Sequence, residues 1–296
     1  DILFDAKPHV GTDVLIDVVQ NIRKRIESLG GEVRFCAQVT DFLQENGQLS
    51  ALEVNGNEII PCQQAVLAIG HSARDTFEKL ESRNIPMEAK PFSMGVRIEH
   101  KQEKIDFSQY GCVNPALPPA TYKLATHLAD RTVYTFCMCP GGYVVAAASE
   151  EGGIVTNGMS NSAREGENAN AALLVTVAPE DFPYAGPLGG MHWQRQIEQA
   201  AYNLTGSYQA PAQRVGDFRK GVPTIDAGKV TPTYRPGVHF CDLHSFLPEV
   251  ITDALKEALP QLDREIAGYA SDDAILTGPE TRSSSPVRIL RGEDKQ

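Results

Sequence analysis

This 296-residue sequence has no long hydrophobic run and no block of basic residues. Its longest apolar runs, such as Ala65 to Ile69 and Tyr143 to Ala148, are far shorter than the roughly 20 residues that a membrane-spanning helix needs. The 27 Lys and Arg residues are outnumbered by 38 Asp and Glu residues, which gives a formal net charge of −11. We therefore expect no membrane span and no general binding to nucleic acids or anionic membranes.

Cysteine is scarce, and the six cysteines are scattered along the chain: Cys36, Cys62, Cys112, Cys137, Cys139 and Cys241. A chain of this length can bury a core large enough to need no disulfides, so we expect reduced thiols and a cytoplasmic location. The sequence begins at Asp1 without a charged-then-apolar leader, and it ends on a strand-like stretch. We expect it to be a piece of a longer protein.

The first third of the sequence alternates between helical and strand patterns. Apolar residues at helical spacing predict a helix over residues 13–29, and alternation from Val33 to Val39 predicts a strand. Residues 49–54 and 58–62 flank an Asn-Gly pair, which is typical of a tight hairpin. The apolar run Ala65 to Ile69 predicts a strand that is buried on both faces. Together these patterns favour a layered α/β domain.

The residue pattern changes around Ile85 to Pro91, where short strand-like runs, turns and prolines replace the earlier helical and strand patterns. An antiparallel meander is predicted, with turns at Pro140-Gly141-Gly142 and at residues 150–153; its strands are Val133 to Cys139, Tyr143 to Ser149 and Gly153 to Met159. One helix is predicted to end at Gly206, and another within residues 245–268 to be interrupted by Pro260. These patterns favour a second, β-rich domain that contains helices.

Three segments are rich in small and polar residues and contain glycine, whereas a segment that only formed part of a core would be apolar. Lys7 to Asp13 lead into a predicted helix. The segment could bind an anion at the helix N-terminus, or it could serve only as the N-cap of the helix. Val66 to Thr76 follow the predicted buried strand, and Gly70 lets a ligand approach the backbone there. Thr277 to Arg288 combine hydroxyls with two arginines, which suits a phosphate, a polar ring edge or a solvated loop.

At these segments, and along nearly the whole chain, the sequence resembles a known family. The strings that carry the resemblance are PHVGTD, VLAIGHSARDT, KPFSMGVRIEH, FCMCPGGYVVAAASEEGGIVTNGMS, APAQRVGDF and LTGPETRSSSPVRI. They resemble the bacterial "uncharacterised FAD-dependent dehydrogenase" family, within the superfamily of two-domain flavoproteins that includes glutathione reductase. The resemblance implies a soluble flavoprotein that carries out oxidation and reduction.

The family's pattern also includes segments that are absent from this sequence. Its members resemble other FAD proteins in beginning with a GxGxxG turn that holds the pyrophosphate, and no GxGxxG occurs in these 296 residues. The resemblance therefore implies a fold that is α/β plus α+β: a partial FAD-binding, Rossmann-like layer formed by residues 1–88 and 275–296, with an inserted β-rich mixed domain formed by residues 89–274. We expect FAD to bind weakly or not at all to residues 1–296 alone, and the piece to be inactive by itself.

The resemblance implies a set of residues at the cofactor. His9, Gly11 and Asp13 are implied near the flavin; Ala68, Gly70, His71, Ser72 and Arg74 at the adenosine or pyrophosphate; and Glu280, Arg282, Ser283, Ser284 and Ser285 at the isoalloxazine or substrate. No metal site is expected.

Four residues are candidates for catalysis: His71, Arg282, Cys137 and Cys139. Imidazole titrates near neutrality, so His71, like His9, is a candidate for proton transfer, although a lone histidine is also commonly structural. Arg282 is expected to line a substrate cleft. Cys137 and Cys139 suggest a thiol relay or a covalent adduct with flavin, but on a regular strand such a pair is poorly placed for a disulfide, and buried strand thiols are the alternative.

The leading hypothesis for function is an FAD-dependent oxidoreductase that moves a hydride between flavin and a small-molecule substrate, with NAD(P)H as a candidate reductant. An alternative is a flavin-containing module whose inserted domain recognises a macromolecular partner. A third is an RNA-modifying flavoprotein, which the charge of −11 disfavours. The sequence leaves the substrate and the oligomeric state open.

Overall fold

The structure, a computed structural model, describes residues 10–112 and 114–292. The contacts between residues divide the chain into two compact units. Unit 1 contains the described parts of residues 1–18, 92–177 and 194–283, and unit 2 contains those of residues 19–91, 178–193 and 284–296.

Helices and strands both occur along the described chain. The α-helices are α1 (Thr12–Ser28), α2 (Arg74–Ser82), α3 (Gln102–Tyr110), α4 (Gly189–Thr205), α5 (Val215–Lys220) and α6 (Glu249–Glu265). The strands are β1 (Val39–Glu45), β2 (Gln48–Val54), β3 (Glu58–Pro61), β4 (Met87–Ala89), β5 (Phe92–Lys101), β6 (Ala125–His127), β7 (Thr132–Ala146), β8 (Thr156–Ser160), β9 (Asn168–Val177), β10 (Ala210–Arg214), β11 (Val238–Phe240), β12 (Ile275–Glu280) and β13 (Val287–Ile289).

An eight-stranded sheet forms the centre of unit 1. Its strand order is β11-β10-β12-β5-β9-β7-β6, and β8 pairs with β7 off this path. The β10–β11 pair is parallel, and the remaining pairs are antiparallel. Residues 92–100 of β5 are all buried, and so are residues 168–175 of β9. The middle of the sheet is therefore covered on both faces, and any charge on these strands must find a partner there.

Helix α6 supplies much of the apolar cover in unit 1. Its residues Ile251, Leu255, Leu259 and Leu262 are fully buried at helical spacing. The predicted interruption at Pro260 is wrong, since the helix continues through this proline. Proline removes one backbone donor, but the buried face on both sides of it holds the helix together.

Unit 2 is smaller and has two antiparallel sheets. Strands β1, β2 and β3 form one, with order β1-β2-β3, and β4 pairs with β13 to form the other. Its core cluster contains Phe77, Leu188, Met191 and Val287. Mixed α and β structure is therefore confirmed, whereas the sheets of unit 2 in the described residues are antiparallel rather than a parallel Rossmann-like layer.

Several elements occur where local patterns predict them. Helix α1 covers the predicted 13–29 to within a residue at each end, and α4 ends directly before Gly206. The hairpin of β2 and β3 turns at the Asn-Gly pair, where Asn55 and Gly56 both have positive φ. None of the helices α1 to α6, nor any other helix in the described ranges, combines the length and the hydropathy of a membrane-spanning segment.

Two predicted strands are wrong. The backbone is irregular before Val39, because Cys36 has φ of 53° and the Asn55 side chain takes over the hydrogen bonding, with Nδ2 donating to the Cys36 carbonyl at 2.9 Å. Residues 65–69 are not a strand either, and Val66 is 93% exposed. An apolar run predicts a buried strand only where neighbouring strands pair with it, and the described sheets include no strand there.

The first turn of the predicted three-stranded meander is also wrong, because no turn occurs there. Pro140-Gly141-Gly142 lie inside the continuous strand β7, which is 15 residues long. Register shifts occur between Phe136 and Cys139 and again between Cys139 and Gly142. Such irregularities let a strand carry proline and glycine without turning back, so β7 stays one strand and bends.

Candidate functional site

Arg97 is a completely buried arginine on the central strand β5 of unit 1. Its Nε donates to Glu280 Oε2 at 2.5 Å, and its Nη2 donates to Glu280 Oε1 at 2.8 Å. Nη2 also donates to Asn157 Oδ1, and Nη1 donates to Asn170 Oδ1 and to the carbonyl of Cys137. All five N–H donors of the guanidinium are thus used, which fixes the orientation of its plane.

Strand pairing brings these partners together from four segments. Strand β12 runs antiparallel to β5, with Glu280 opposite Gly95. Asn170 lies on β9, the other neighbour of β5, and Asn157 lies on β8. We call Arg97, Glu280, Asn157, Asn170, Cys137 and Cys139 the Arg97 cluster.

A second buried carboxylate, Glu99, lies two residues further along β5. It accepts hydrogen bonds from Thr233 Oγ1 at 2.5 Å and from Asn168 Nδ2 at 3.2 Å. Burial raises the pKa of Glu99, and burial also raises that of Glu280 although Arg97 opposes the shift. Two carboxylates and one guanidinium are therefore held in a low-dielectric interior.

The two cysteines of the cluster lie where β7 departs from regular strand geometry. Cys137 has φ of 46° and is exposed, whereas Cys139 is buried. The Cys139 Sγ donates to the Cys137 carbonyl at 3.3 Å. The neighbouring Cys139 thiol, aided by the charge of Arg97, lowers the pKa of the Cys137 thiol to about 6. The Cys137 thiol, together with burial, raises the pKa of Cys139.

Arg282 belongs to a separate buried ion pair in unit 1. It donates to Glu198 through Nε at 3.1 Å and through Nη2 at 2.7 Å, and its Nη1 donates to Ser149 Oγ. Thr281 Oγ1 also donates to Glu198, at 2.5 Å. The predicted site residue Arg282 is therefore a two-point partner of a buried carboxylate.

The first polar segment is fixed to a loop of unit 1. The carboxylate of Asp13 accepts from Ser162 N at 2.8 Å and from Ser162 Oγ at 2.7 Å, and these bonds lower its pKa. A Cβ at Gly11 would lie 2.1 Å from Ser162 N, so only glycine fits this approach. His9 lies outside the described residues.

The second polar segment belongs to unit 2 and is open. Ala68 is exposed, and Gly70 has φ of 67°; within the described part of the chain, its two chain neighbours aside, no atom lies within 4 Å of the place where a Cβ would be. His71 Nδ1 lies 3.4 Å from Ser72 Oγ. Arg74 is buried at the start of α2.

The predicted residues of the third segment divide among different surroundings. Glu280 is in the Arg97 cluster, and Ser283 Oγ donates to the Ser93 carbonyl at 2.6 Å. Ser284 is half-buried in unit 2, and Ser285 Oγ donates to the Val287 carbonyl. Of the predicted site residues, only Glu280, Cys137 and Cys139 are brought together in the Arg97 cluster.

Sequence reasoning missed Arg97, Glu99, Asn157 and Asn170 as site residues. The sequence does contain a signal for such a site. Arg97, Glu99 and His100 lie in and directly after the mainly apolar stretch Phe92 to Ile98, and a charged side chain on a central strand requires a buried partner. The identity of those partners was not readable from the sequence. No group of three or more potential metal ligands occurs among the described residues.

The family model described as "FAD-dependent protein, C-terminal domain-like" matches residues 91–283, which contain the whole Arg97 cluster and the Arg282–Glu198 pair. The chain belongs to this FAD-dependent family. An uncharacterised protein of Clostridium beijerinckii is 51% identical to this chain over 296 residues. The match covers 98% of the chain and 55% of that relative, so the chain spans about half the length of the relative.

Proposed function

We propose that this chain is part of an FAD-dependent oxidoreductase that transfers a hydride between flavin and a small-molecule substrate, with NAD(P)H as the reductant. The observation that carries the proposal is the match of the FAD-dependent family over residues 91–283. FAD accepts and donates a hydride, so a protein that binds FAD is suited to oxidation and reduction. We also propose that residues 1–88 and 275–296 contribute to the flavin-binding domain and that the protein acts in the cytoplasm.

The open segment of unit 2 fits a dinucleotide. The space around Gly70 leaves the backbone accessible, and Val66 and Ala68 beside it offer exposed apolar surface for a ring. His71 and Ser72 supply polar groups directly after the glycine. We assign Gly70, His71 and Ser72 to binding the cofactor, which supplies the two-electron chemistry when it is bound.

Asp13 is assigned a different role. Both of its carboxylate oxygens already accept hydrogen bonds from Ser162. It therefore holds the start of α1 against the loop that contains Ser162, and it orients this helix start rather than contacting the cofactor.

The buried ion pairs of unit 1 are proposed to hold this unit rigid. Arg97 is bonded at all five donors, and Arg282 is bonded to Glu198 at two points. Side chains fixed in this way keep their geometry through a reaction and do not need to reorganise. His71 is proposed to exchange a proton with the flavin or the substrate, since imidazole is the side chain suited to this near neutral pH.

The full-length protein tests this proposal directly. We expect it to contain FAD in stoichiometric amount, released as free FAD on denaturation, and to lose its flavin absorbance anaerobically with NADH or NADPH. His71→Gln should slow this reduction, whereas His239→Gln, which alters an exposed histidine of β11, should not. A protein that stays colourless after addition of FAD would contradict the proposal. Bound flavin that neither nicotinamide reduces would refute the proposed reductant.

A further inference from the structure

The bulge in β7 removes the geometric objection to a bond between Cys137 and Cys139. On a regular strand, residues two apart have Cα atoms about 6.6 Å apart, close to the limit of roughly 6.8 Å for a disulfide. Here Phe136 pairs with Ala172 and Cys139 pairs with Asn170, so three steps along β7 match two along β9. At such a bulge the strand departs from regular spacing, and Cys137 takes a positive φ.

The buried Cys139 thiol lies against the backbone of Cys137. Its Sγ donates to the Cys137 carbonyl oxygen at 3.3 Å. The same carbonyl accepts from Arg97 Nη1 at 2.9 Å, which anchors the bulge. The residues that carry the two thiols are therefore held beside one another, as a disulfide between them requires.

The surroundings give the two thiols different roles. Cys137 is exposed, and the neighbouring Cys139 thiol and the Arg97 guanidinium, which donates to the Cys137 carbonyl, both favour its anion. Glu280 opposes this effect with its own charge, and Tyr122 lies near the buried Cys139. An accessible, low-pKa thiol beside a buried, protonated one is the arrangement of an attacking and a resolving cysteine.

We propose that Cys137 and Cys139 form a dithiol–disulfide exchange site whose substrate is a disulfide. The Cys137 thiolate attacks one sulfur of the substrate, the substrate's S–S bond breaks, and the first thiolate leaves and takes a proton from water. The Cys139 thiol then loses its proton to the second leaving sulfur as it attacks the Cys137 sulfur. Two protein thiols are oxidised to one disulfide, and one substrate disulfide is reduced to two thiols. This inference does not depend on the proposed flavin chemistry.

Glutathione disulfide is a suitable probe, used on the reduced full chain with mass spectrometry after alkylation and proteolysis. We expect the unmodified chain to lose two hydrogens and to form a Cys137–Cys139 bond. Cys139→Ser should retain glutathione on Cys137, because the resolving thiol is gone, and Cys137→Ser should form neither product. Cys112→Ser, a change at another exposed cysteine, should leave the Cys137–Cys139 bond intact. Glutathione on Cys112 but not on Cys137 in the Cys139→Ser variant would overturn the proposal.

If either variant fails to fold, the alkylation rates of Cys137 and Cys112 in the unmodified chain test the proposal instead. At pH 6 the larger thiolate fraction of Cys137 outweighs its lower intrinsic nucleophilicity, so iodoacetamide should alkylate Cys137 about tenfold faster than Cys112. Equal rates at the two cysteines would refute the activation of Cys137. The flavin content of the sample plays no part in either readout, so failure here is separable from failure of the flavoprotein proposal.

Discussion

Arg97 and Glu280 are 183 positions apart in the sequence and form a doubly hydrogen-bonded ion pair in the interior of unit 1. The side chain of Arg97 is completely buried, and that of Glu280 is 5% exposed. Their strands, β5 and β12, are direct neighbours in the sheet. Since the same guanidinium also bonds Asn157, Asn170 and the Cys137 carbonyl, this one pair connects five strands of the sheet.

Breaking this pair from one side should be strongly destabilising. Arg97→Met leaves the Glu280 carboxylate buried without its cation, and we expect a loss of about 3–5 kcal/mol in the free energy of unfolding, measured by urea denaturation. Arg34→Met disrupts the exposed pair of Arg34 with Glu58 and should leave the unfolding midpoint unchanged. Equal unfolding midpoints for the two variants would show that the buried pair contributes no more to stability than the exposed pair.

Gly158 lies against the Arg97 cluster and has no room for a side chain. A Cβ there would lie 2.3 Å from Asn170 Oδ1 and 2.4 Å from Arg97 Nη1. We expect Gly158→Ala to lower stability by roughly 1–3 kcal/mol, because it displaces groups that are held by several hydrogen bonds. Gly153→Ala is the matched control, since the nearest atoms of the described residues, its chain neighbours aside, would lie 3.6 Å from its Cβ. Thermal unfolding of both variants checks the difference.

His100 should make the stability of the protein depend on pH between about 4 and 6.5. Its ring is buried, and Nε2 donates to the Tyr269 carbonyl at 2.6 Å, which fixes the tautomer with hydrogen on Nε2. Burial lowers the pKa of His100 from 6.5 to about 4. Below pH 6.5 the unfolded chain therefore binds a proton that the folded chain does not, so stability falls as the pH falls.

The expected size of this effect is about 3 kcal/mol across the interval, given about 1.4 kcal/mol per pKa unit. The measurement is the free energy of unfolding at several pH values for the unmodified chain and for His100→Gln, whose amide can still donate to the Tyr269 carbonyl. The difference between the two curves isolates the histidine from the carboxylates. Parallel curves would mean that His100 titrates normally in the folded state.

Arg282 should matter for stability as well as for activity. Its removal leaves Glu198, which is 1% exposed, without its cation. We expect Arg282→Ala to lower the melting temperature and, in the full-length flavoprotein, to lower kcat/KM further than the loss of folded protein explains. Arg282→Lys keeps the charge but loses the two-point contact, so it should recover part of the stability. Unchanged kcat/KM per folded molecule would assign Arg282 a structural role alone.

Local patterns in the sequence determined several elements of this fold and the family to which the chain belongs. Helix α1, helix α4 and the β2–β3 hairpin follow from apolar periodicity, a glycine stop and an Asn-Gly turn, which act within a few residues. The long motifs likewise indicated a flavin-dependent protein from residue identity, and the family match over residues 91–283 agrees.

Only the tertiary structure decided the partners of the buried charges and the conformation of the Pro-Gly-Gly segment. The Arg97–Glu280 pair depends on the antiparallel register of β5 with β12, and no local pattern specifies which distant strand becomes a neighbour. Pro140-Gly141-Gly142 form a turn by local propensity, yet pairing with β8 and β9 keeps them inside β7. The same pairing produces the bulge at Cys137, because the extra residue must be accommodated between two fixed ladders.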